Sequence, residues 1–392
     1  MRVLILSATA GQGHHATAQA ISAVMRERGD VVSILDVFAY ISPALRDVID
    51  KGYRFSTKLA PKVFGSVYGQ LDKKTEPAGK ISPTHVASQI LMRELEGYIR
   101  NYNADVIISV HPFNSVILNT MVAKRVTGAI TVGVITDFTV HPLWQDTGLL
   151  DYFVTVDRML APQMRKKGLS ASKMLPIGIP VHPKFFRSLP KEEAREKLGL
   201  DPNKRTLLIM SGSMGFGRID QSIKALDALE TDFQALVVCG NNKGMLRTLK
   251  LLRLNKNFKI FGYVQNVDEM MDAADCIITK PGGLTVSETL AKNLPMILVN
   301  PIPGQESRNA EFLVNNQLAM LVSETYPLED AVETLFEGNY HLEQILKNQR
   351  LFRKGDSAKQ LAEFLSWEYQ KREGILPCLE EESASFSETA EA

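Results

Sequence analysis

A short segment between two apolar runs, ITKPGGLTVSET at residues 278–289, combines one cation, one proline and two glycines. The run before it is typical of a β-strand, and the run after it is typical of an α-helix. Gly282 and Gly283 allow a ligand to approach the backbone closely, and the first turn of the helix offers free N–H groups at the positive end of its dipole. Lys280 adds a full positive charge. These residue types in this order predict a cradle for an anion such as a phosphate.

The predicted helix after this turn carries side chains suited to the rest of a nucleotide. Thr285 and Ser287 can donate hydroxyl hydrogen bonds, and the carboxylate of Glu288 can accept hydrogen bonds from both hydroxyls of a ribose. Phosphate and ribose together indicate a nucleotide. The alternative is a structural strand-to-helix turn in which the threonine and the glutamate are ordinary residues of a helix start.

A second glycine-rich turn, SATAGQGHHATAQAI at residues 7–21, follows the first apolar run and opens the first helical one. Gly11 and Gly13 begin a dinucleotide fingerprint, but Ala16 occupies its third glycine position, and Asp36 stands where a ribose-binding acid would be expected. A dehydrogenase is therefore an alternative from this motif alone. It is disfavoured because the more complete nucleotide site lies in the second half of the chain.

Three polar residues that follow predicted strands are candidates for acid–base chemistry. His14 lies in the first turn of the helix after the second glycine-rich loop, where a phosphate site needs no histidine but a general base does. Asp137, in VITDFTVHPLW (134–144), is placed for acid–base work or for orienting a histidine. His111 ends a further apolar run. Taken singly, each of these residues is equally compatible with a structural role.

Two loops in the second half of the chain add polar groups. SGSMGFGR (211–218) directly follows a predicted strand, and its glycines and serines suit an anion, although a flexible loop is the alternative. NPIPGQESRNAEFL (300–313) brings Gln305 and Glu306 to the start of a helix. An amide beside a carboxylate offers the donors and acceptors that sugar hydroxyls need. A helix cap is the alternative there.

Length, charge and cysteine content exclude several classes of protein. The 392 residues predict two domains, and a formal net charge of +1 gives no overall attraction to nucleic acid. The three cysteines are far apart and lack the spacing of metal ligands, which fits a reducing, cytosolic setting. The apolar run at residues 3–6 is shorter than a signal peptide requires, and we expect no membrane-spanning helix.

Strands and helices alternate along most of the chain, which predicts an α/β protein with parallel sheets covered on both faces. The alternation breaks at residues 176–190, a proline- and glycine-rich stretch that we interpret as an interdomain linker. It restarts beyond that stretch and ends before an acidic, serine-rich tail. Two tandem domains of this kind predict a cleft at the carboxyl ends of their strands.

Residues 51–80 differ in composition from the rest of the chain. They contain seven basic and two acidic residues, interleaved with aromatic ones. Such a segment in a nearly neutral protein predicts a contact with an anionic membrane surface. Nucleic-acid binding and a solvated pair of helices with a buried aromatic face are the alternatives.

In combination, these stretches resemble the diacylglycerol glycosyltransferases of the monogalactosyldiacylglycerol synthase and processive diacylglycerol β-glucosyltransferase group. That group is related to the peptidoglycan N-acetylglucosaminyl transferase. The resemblance covers roughly residues 2–370 by the order of the motifs. The stretches that carry it are AGQGHHATAQAI, ISVHPF, VITDFTVHPLW, LPIGIPV, FGYV, ITKPGGLTVSE and PIPGQE.

The resemblance implies a glycosyltransferase B fold, in which two Rossmann-like, doubly wound domains face an interdomain cleft. Residues 1–180 would form the N-terminal domain, which holds the lipid acceptor and contacts the membrane. Residues 181–375 would form the C-terminal domain, which binds the UDP-sugar, and residues 376–392 would be a disordered acidic tail. The enzyme would be peripheral, at the cytoplasmic face of the cell membrane.

The resemblance also implies roles for individual residues. His14 or Asp137 would be the base that takes the proton from the diacylglycerol hydroxyl. Tyr263 and Val264 would lie at the uracil, Glu288 at the ribose, and Gln305 and Glu306 at the sugar. The diphosphate would be held by Ser211, Gly212, Ser213, Lys280, Gly282, Gly283, Leu284 and Thr285.

The implied reaction transfers a hexose with inversion and without a metal ion, and the sequence contains no Asp-x-Asp pair to hold one. Glucose is favoured over galactose because the overall pattern looks bacterial. Alternatives are a transferase acting on a polyprenyl-diphosphate lipid, a UDP-sugar epimerase of similar fold, and a non-catalytic nucleotide-sugar sensor.

Overall fold

The computed structural model describes residues 1–8, 12–42, 83–210, 219–337 and 339–375. Three predicted features lie outside these ranges: the basic segment 51–80, the loop 211–218 and the tail 376–392.

The first half of the chain forms a six-stranded parallel sheet. Its strands are β1 (Arg2–Ser7), β2 (Val31–Asp36), β3 (Val106–Ser109), β4 (Ile130–Val134), β5 (Tyr152–Val154) and β6 (Met174–Leu175), in the order β2-β1-β3-β4-β5-β6. The helices among them are α1 (Gln12–Glu27), α2 (Val37–Ile41), α3 (Pro83–Tyr102), α4 (Pro112–Ala123) and α5 (Ala161–Lys166). Short 3-10 turns cover Pro142–Thr147, Arg158–Leu160 and Ala171–Lys173.

A second six-stranded parallel sheet follows the linker, which contains a 3-10 turn at Pro183–Phe186. The strands are β7 (Thr206–Met210), β8 (Gln234–Val238), β9 (Phe258–Phe261), β10 (Cys276–Thr279), β11 (Met296–Leu298) and β12 (Met320–Leu321), in the order β12-β11-β10-β7-β8-β9. The helices are α6 (Lys191–Lys197), α7 (Ile219–Asp227), α8 (Lys243–Lys250), α9 (Val267–Ala273), α10 (Gly283–Ala291), α11 (Gln305–Asn315), α12 (Leu328–Glu337), α13 (Asn339–Phe352) and α14 (Ser357–Arg372).

The central strands are buried along their whole length, as the sequence predicts for parallel sheets. Every residue of β3, β4, β8 and β10 is buried. Helices pack on both faces of each sheet, so these strands are continuous apolar runs without the alternation of a half-exposed strand. The predicted fold class, two Rossmann-like doubly wound domains, is confirmed.

The last helix packs on the first sheet, although the predicted boundaries assign it to the second domain. Four residues of α14 (Ala358, Leu361, Ala362 and Leu365) are fully buried in the core that contains Val3 and Ile5 of β1. Ion pairs of Arg372 with Asp151 (3.1 Å) and of Lys354 with Asp157 (2.7 Å) bind the same part of the chain to the first domain. Residues 357–372 therefore belong with the N-terminal sheet by packing. The amphipathic pattern of a helix does not reveal which of two sheets it covers.

The two domains contact each other directly at the carboxyl ends of their strands. A buried apolar cluster extends from Ile135 and Phe138 of the first domain to Val286 and Leu290 of the second. The rings of Phe138 and Phe312, which lies on α11, have their centroids 5.6 Å apart. This contact brings the polar residues at the strand ends of both domains to one place.

No helix in the described part of the chain has both the length and the apolar character that crossing a membrane requires.

Candidate active site

Each sheet has a point at which its strand order reverses, and ligands of open parallel sheets bind at such points. In the first sheet this point lies between the neighbouring strands β1 and β3, and in the second sheet it lies between β7 and β10. The loop after β1 leads to His14, the loop after β3 contains Val110 and His111, and the loop after β10 contains Lys280 to Gly282. The predicted site residues that are described therefore cluster where the two switch points face each other.

The imidazole of His14 is held in one tautomer by its neighbours. Its Nδ1 lies 2.6 Å from the carbonyl oxygen of Val110 and 3.1 Å from Oγ1 of Thr136. A carbonyl oxygen can only accept a hydrogen bond, so in this contact Nδ1 carries the hydrogen. In the neutral ring the lone pair is then on Nε2, which is the nitrogen able to accept a proton.

The surroundings of His14 favour its neutral form. Burial lowers the pKa of His14 below the usual histidine value, and this effect is partly opposed by the charge of Asp137 and by the hydrogen bond to Val110. The ring of His111 lies edge-on to that of His14, with 4.8 Å between the centroids. Burial, His14 and His141 together hold the pKa of His111 well below its usual value. A neutral His14 is the form that a general base needs before it reacts.

Asp137 is a nearly buried carboxylate that is bound by the opposite domain. Only 6% of the residue is exposed. One oxygen accepts a hydrogen bond from Nε2 of Gln305, and the other accepts one from Nδ2 of Asn309 at 3.1 Å. Burial raises the pKa of Asp137, while the hydrogen bonds from Gln305 and Asn309 and the charge of His14 lower it. The carboxylate thus acts on His14 through its charge, while helix α11 holds its oxygens.

The loop from Lys280 to Gly283 forms the second-domain side of the site. Lys280 is only 8% exposed, and burial lowers the pKa of its amine while the charge of Glu306 raises it. Helix α10 begins at Gly283, and a Cβ atom built on Gly283 would lie 2.0 Å from the carbonyl oxygen of Thr136. Only glycine therefore allows the start of α10 to approach the first domain so closely.

The side chains along α10 differ in how far they are available to a ligand. The hydroxyl of Ser287 donates to the carbonyl of Gly283 at 2.8 Å, so this predicted donor is used within its own helix. Leu284 and Thr285 lie half-buried in the first turn. Glu288 is also half-buried, and burial raises its pKa to about 8, an effect that Lys184 opposes and Asp268 strengthens. A neutral carboxyl at this position gains from ligand donors that favour its ionised form.

The remaining predicted residues line the loops around this centre. Tyr263 is exposed after β9, and Val264 beside it is half-buried against the core. Glu306 accepts a hydrogen bond from the backbone N–H of Ile302 at 2.7 Å, and burial raises its pKa while Lys280 lowers it. Gly304, with a φ of 102°, makes the turn that starts helix α11 at Gln305. Ser211, Gly212 and Ser213 lie outside the described residues.

Two important side chains were not predicted from the sequence. Thr136 contacts His14, and Asn309 is fully buried between the domains. Asn309 lies one helical turn after Gln305, so the two side chains share a face of α11, and this spacing is the signal that was available. Among the residues that the structure describes, no three His, Cys, Asp or Glu side chains are grouped as a metal ion would require.

Comparison with known protein families supports the same assignment for both domains. The model of the monogalactosyldiacylglycerol (MGDG) synthase family matches residues 14–181, and the model of the glycosyltransferase family 28 C-terminal domain matches residues 206–363.

Two characterised relatives align over most of the chain. Monogalactosyldiacylglycerol synthase of Spinacia oleracea is 31% identical, over 89% of this chain and 69% of that protein. Processive diacylglycerol beta-glucosyltransferase of Bacillus pumilus is 28% identical, over 89% of this chain and 90% of that protein. The crystal structure of MurG from Acinetobacter baumannii has a similar fold, with a TM-score of 0.62, 14% identity and coverage of 93% of this chain and 99% of the other. The fold is the glycosyltransferase B fold.

Proposed function

The chain belongs to the family of diacylglycerol glycosyltransferases that includes monogalactosyldiacylglycerol synthase, and on this basis we propose that it transfers a hexose from a UDP-sugar to the hydroxyl of 1,2-diacylglycerol. The transfer inverts the configuration of the sugar and needs no metal ion. Glucose is favoured over galactose as the transferred sugar.

One observation carries this proposal. A histidine in a fixed neutral tautomer, His14, stands on the first domain beside Thr136, and the Gly283 end of the Lys280 loop touches Thr136 from the second domain. A proton acceptor and an anion-binding helix start are thereby placed on opposite sides of one interdomain contact. This is the arrangement that attack by an acceptor hydroxyl on a sugar diphosphate requires.

The two candidate bases take different roles in the proposed reaction. Nε2 of His14 accepts the proton of the acceptor hydroxyl, because Nδ1 is engaged with Val110. Asp137 stabilises the imidazolium through its charge, because both of its oxygens are bound by amides of α11. This assignment leaves the carboxylate ionised next to the histidine at the moment the positive charge forms.

The bond changes follow from these roles. The acceptor oxygen attacks the anomeric carbon from the face opposite the diphosphate, and the bond to the diphosphate oxygen breaks. Negative charge grows on UDP, where Lys280 and the backbone N–H groups at the start of α10 stabilise it. The predicted loop around Ser211 to Ser213 completes the diphosphate site, and Tyr263, Glu288 and Gln305 contact the uracil, the ribose and the sugar. A positive cradle of this kind supplies the charge neutralisation that a metal ion supplies in other transferases.

The acceptor is a membrane lipid, so we place the enzyme peripherally at the cytoplasmic face of the cell membrane. The basic and aromatic residues of segment 51–80 would contact anionic lipid head groups.

The experiment measures glycolipid formation on vesicles that contain diacylglycerol, with UDP-glucose and UDP-galactose supplied separately and EDTA present. We expect product from UDP-glucose, and undiminished product in EDTA. Product from UDP-galactose alone would reassign the sugar. No product from either donor, with UDP still bound, would exclude diacylglycerol as acceptor and favour a polyprenyl-diphosphate acceptor or an epimerase.

A pair of histidine variants tests whether His14 is the base. His14→Ala should lower kcat by about 10²- to 10⁴-fold, the usual contribution of a general base, while UDP affinity is retained. His341→Ala is the matched control, because His341 is exposed on α13 and remote from the strand ends that carry the site. Equal activity of the two variants would contradict the role of His14, and retained UDP binding without turnover in the wild type would indicate a sensor.

A further inference from the structure

The side chain of Asn309 is fully buried at the point where three loops from two domains meet. Its Nδ2 donates to Oδ1 of Asp137 at 3.1 Å and to the carbonyl oxygen of Pro281 at 3.0 Å. Its Oδ1 accepts a hydrogen bond from the backbone N–H of Phe138 at 2.9 Å. One amide on α11 therefore joins the end of β4, the carboxylate beside His14 and the loop that follows β10.

The hydrogen-bonding capacity of this amide is committed to the protein. An asparagine amide has two N–H donors, and here one goes to Asp137 and the other to Pro281. Gln305, one turn earlier on the same helix, donates to Asp137 but is only partly buried. Gln305 thus keeps the freedom to contact a ligand, whereas Asn309 acts on other residues.

Each partner of Asn309 belongs to a different part of the reaction. Asp137 faces His14 on the acceptor side, and Pro281 lies between Lys280 and Gly282 on the donor side. The contacts to Asp137 and Phe138 exist only while the two domains are together. The contact to Pro281 lies within the second domain and fixes the loop relative to α11.

From these contacts we infer that Asn309 is a positioning residue that couples domain closure to assembly of the site. In the closed state it aligns the carboxylate of Asp137 with His14 and, through the same amide, aligns the Lys280–Gly283 loop. This inference rests on the proposed function for its catalytic meaning, but the clamp itself is a structural claim that can be tested without turnover. Because linkage is reciprocal, loss of the clamp also weakens closure around a bound donor.

The direct test compares two substitutions of similar or smaller size in the full chain. Asn309→Ala removes both donors. Asn309→Asp keeps the shape but places carboxylate oxygens against Asp137 and Pro281, which cannot donate to it. We expect kcat to fall roughly 10- to 100-fold in Asn309→Ala, as for loss of a hydrogen bond to a charged group, with the KM for the UDP-sugar changing less than about 3-fold. Asn309→Asp should be the more impaired variant, although a residue needed only for packing would tolerate the isosteric change better.

Hydrogen exchange at the backbone amide of Phe138 gives a readout that does not depend on activity. This N–H donates to Asn309, so its exchange should accelerate by about 10-fold or more in Asn309→Ala as the clamp opens locally. Asn316→Ala is the matched control, since Asn316 ends the same helix and bonds only within it, to the carbonyl of Phe312. The control should leave the Phe138 amide protected.

A second variant keeps the inference testable if Asn309→Ala does not fold. Gly283→Ala forces the domains apart at Thr136 without altering Asn309, and it should expose the Phe138 amide in the same way. Unchanged exchange in both variants, or equal kcat of the alanine and aspartate variants at position 309, would overturn the inference. Absence of glycolipid product in the wild type would instead refute the proposed function, and the exchange experiment would still decide whether the clamp exists.

Discussion

Gly283 lies so close to Thr136 that a single added carbon atom on Gly283 would come within 2.0 Å of the Thr136 carbonyl oxygen. The two residues belong to different domains, and each is linked to a chemically important group. Thr136 contacts the imidazole of His14, and Gly283 starts the helix that follows Lys280. The distance between the proposed base and the proposed leaving-group site is therefore set by a contact that has no room for a side chain.

Replacement of Gly283 by alanine should loosen this contact. An overpacked contact against backbone costs about 1 to 3 kcal/mol, so we expect a lower midpoint of thermal unfolding and a more open arrangement of the domains. Calorimetry and small-angle X-ray scattering measure the two effects. Gly282→Ala is the matched control for stability, because a Cβ at Gly282 meets no atom within 4 Å. Equal unfolding midpoints for the two variants would show that the interface yields easily.

The activity should depend on pH in a way set by His14 and Asp137. Burial lowers the pKa of His14 below 6.5, so the acid limb of kcat/KM should have its midpoint below that pH. In Asp137→Asn the carboxylate that raises the pKa of His14 is absent, so the midpoint should move to still lower pH while kcat falls. A pH profile of glycolipid formation measures both changes. A midpoint that moves upward in Asp137→Asn would contradict the assigned roles, because it would mean that the charge of Asp137 does not act on His14.

Glu288 should make the folded protein less stable as the pH rises. Its folded-state pKa of about 8 lies above the usual value of 4.5, so between these values the folded protein holds a proton that the unfolded chain has released. The free energy of unfolding contributed by this group is then greatest below pH 4.5 and is lost as the pH rises through 8. Urea unfolding of the wild type and of Glu288→Gln at several pH values measures the effect. The neutral variant should gain stability relative to the wild type at pH 8, and parallel curves would refute the shift.

Much of the candidate site could be predicted because its residues directly follow apolar strands. His14, Asp137 and Lys280 each come after a buried strand of a parallel sheet, and the carboxyl ends of such strands meet at one edge. The identity of the fold followed from the same alternation of strands and helices. In these cases local pattern and global arrangement agree, so the sequence was sufficient.

Other features depend on how the domains dock, and local pattern carries little information about that. The carbonyl oxygen of Val110, which fixes the tautomer of His14, belongs to the backbone and has no signature of its own. Asn309 lies inside a helix and becomes recognisable only when the first domain is present. The packing of α14 on the first sheet was assigned differently for the same reason, since its apolar face would suit either sheet.

The return of α14 to the first sheet has a consequence for biosynthesis. Ribosomes release a chain from its N-terminus, and N-terminal domains generally fold first. Here β1 emerges early, but the helix that covers Val3 and Ile5 on one face of the sheet comes after all twelve described strands have been synthesised. The nascent first domain therefore presents an uncovered apolar surface throughout translation of the second. A chain stalled before residue 357 would be a substrate for chaperones and proteases even though every strand of both sheets is already present.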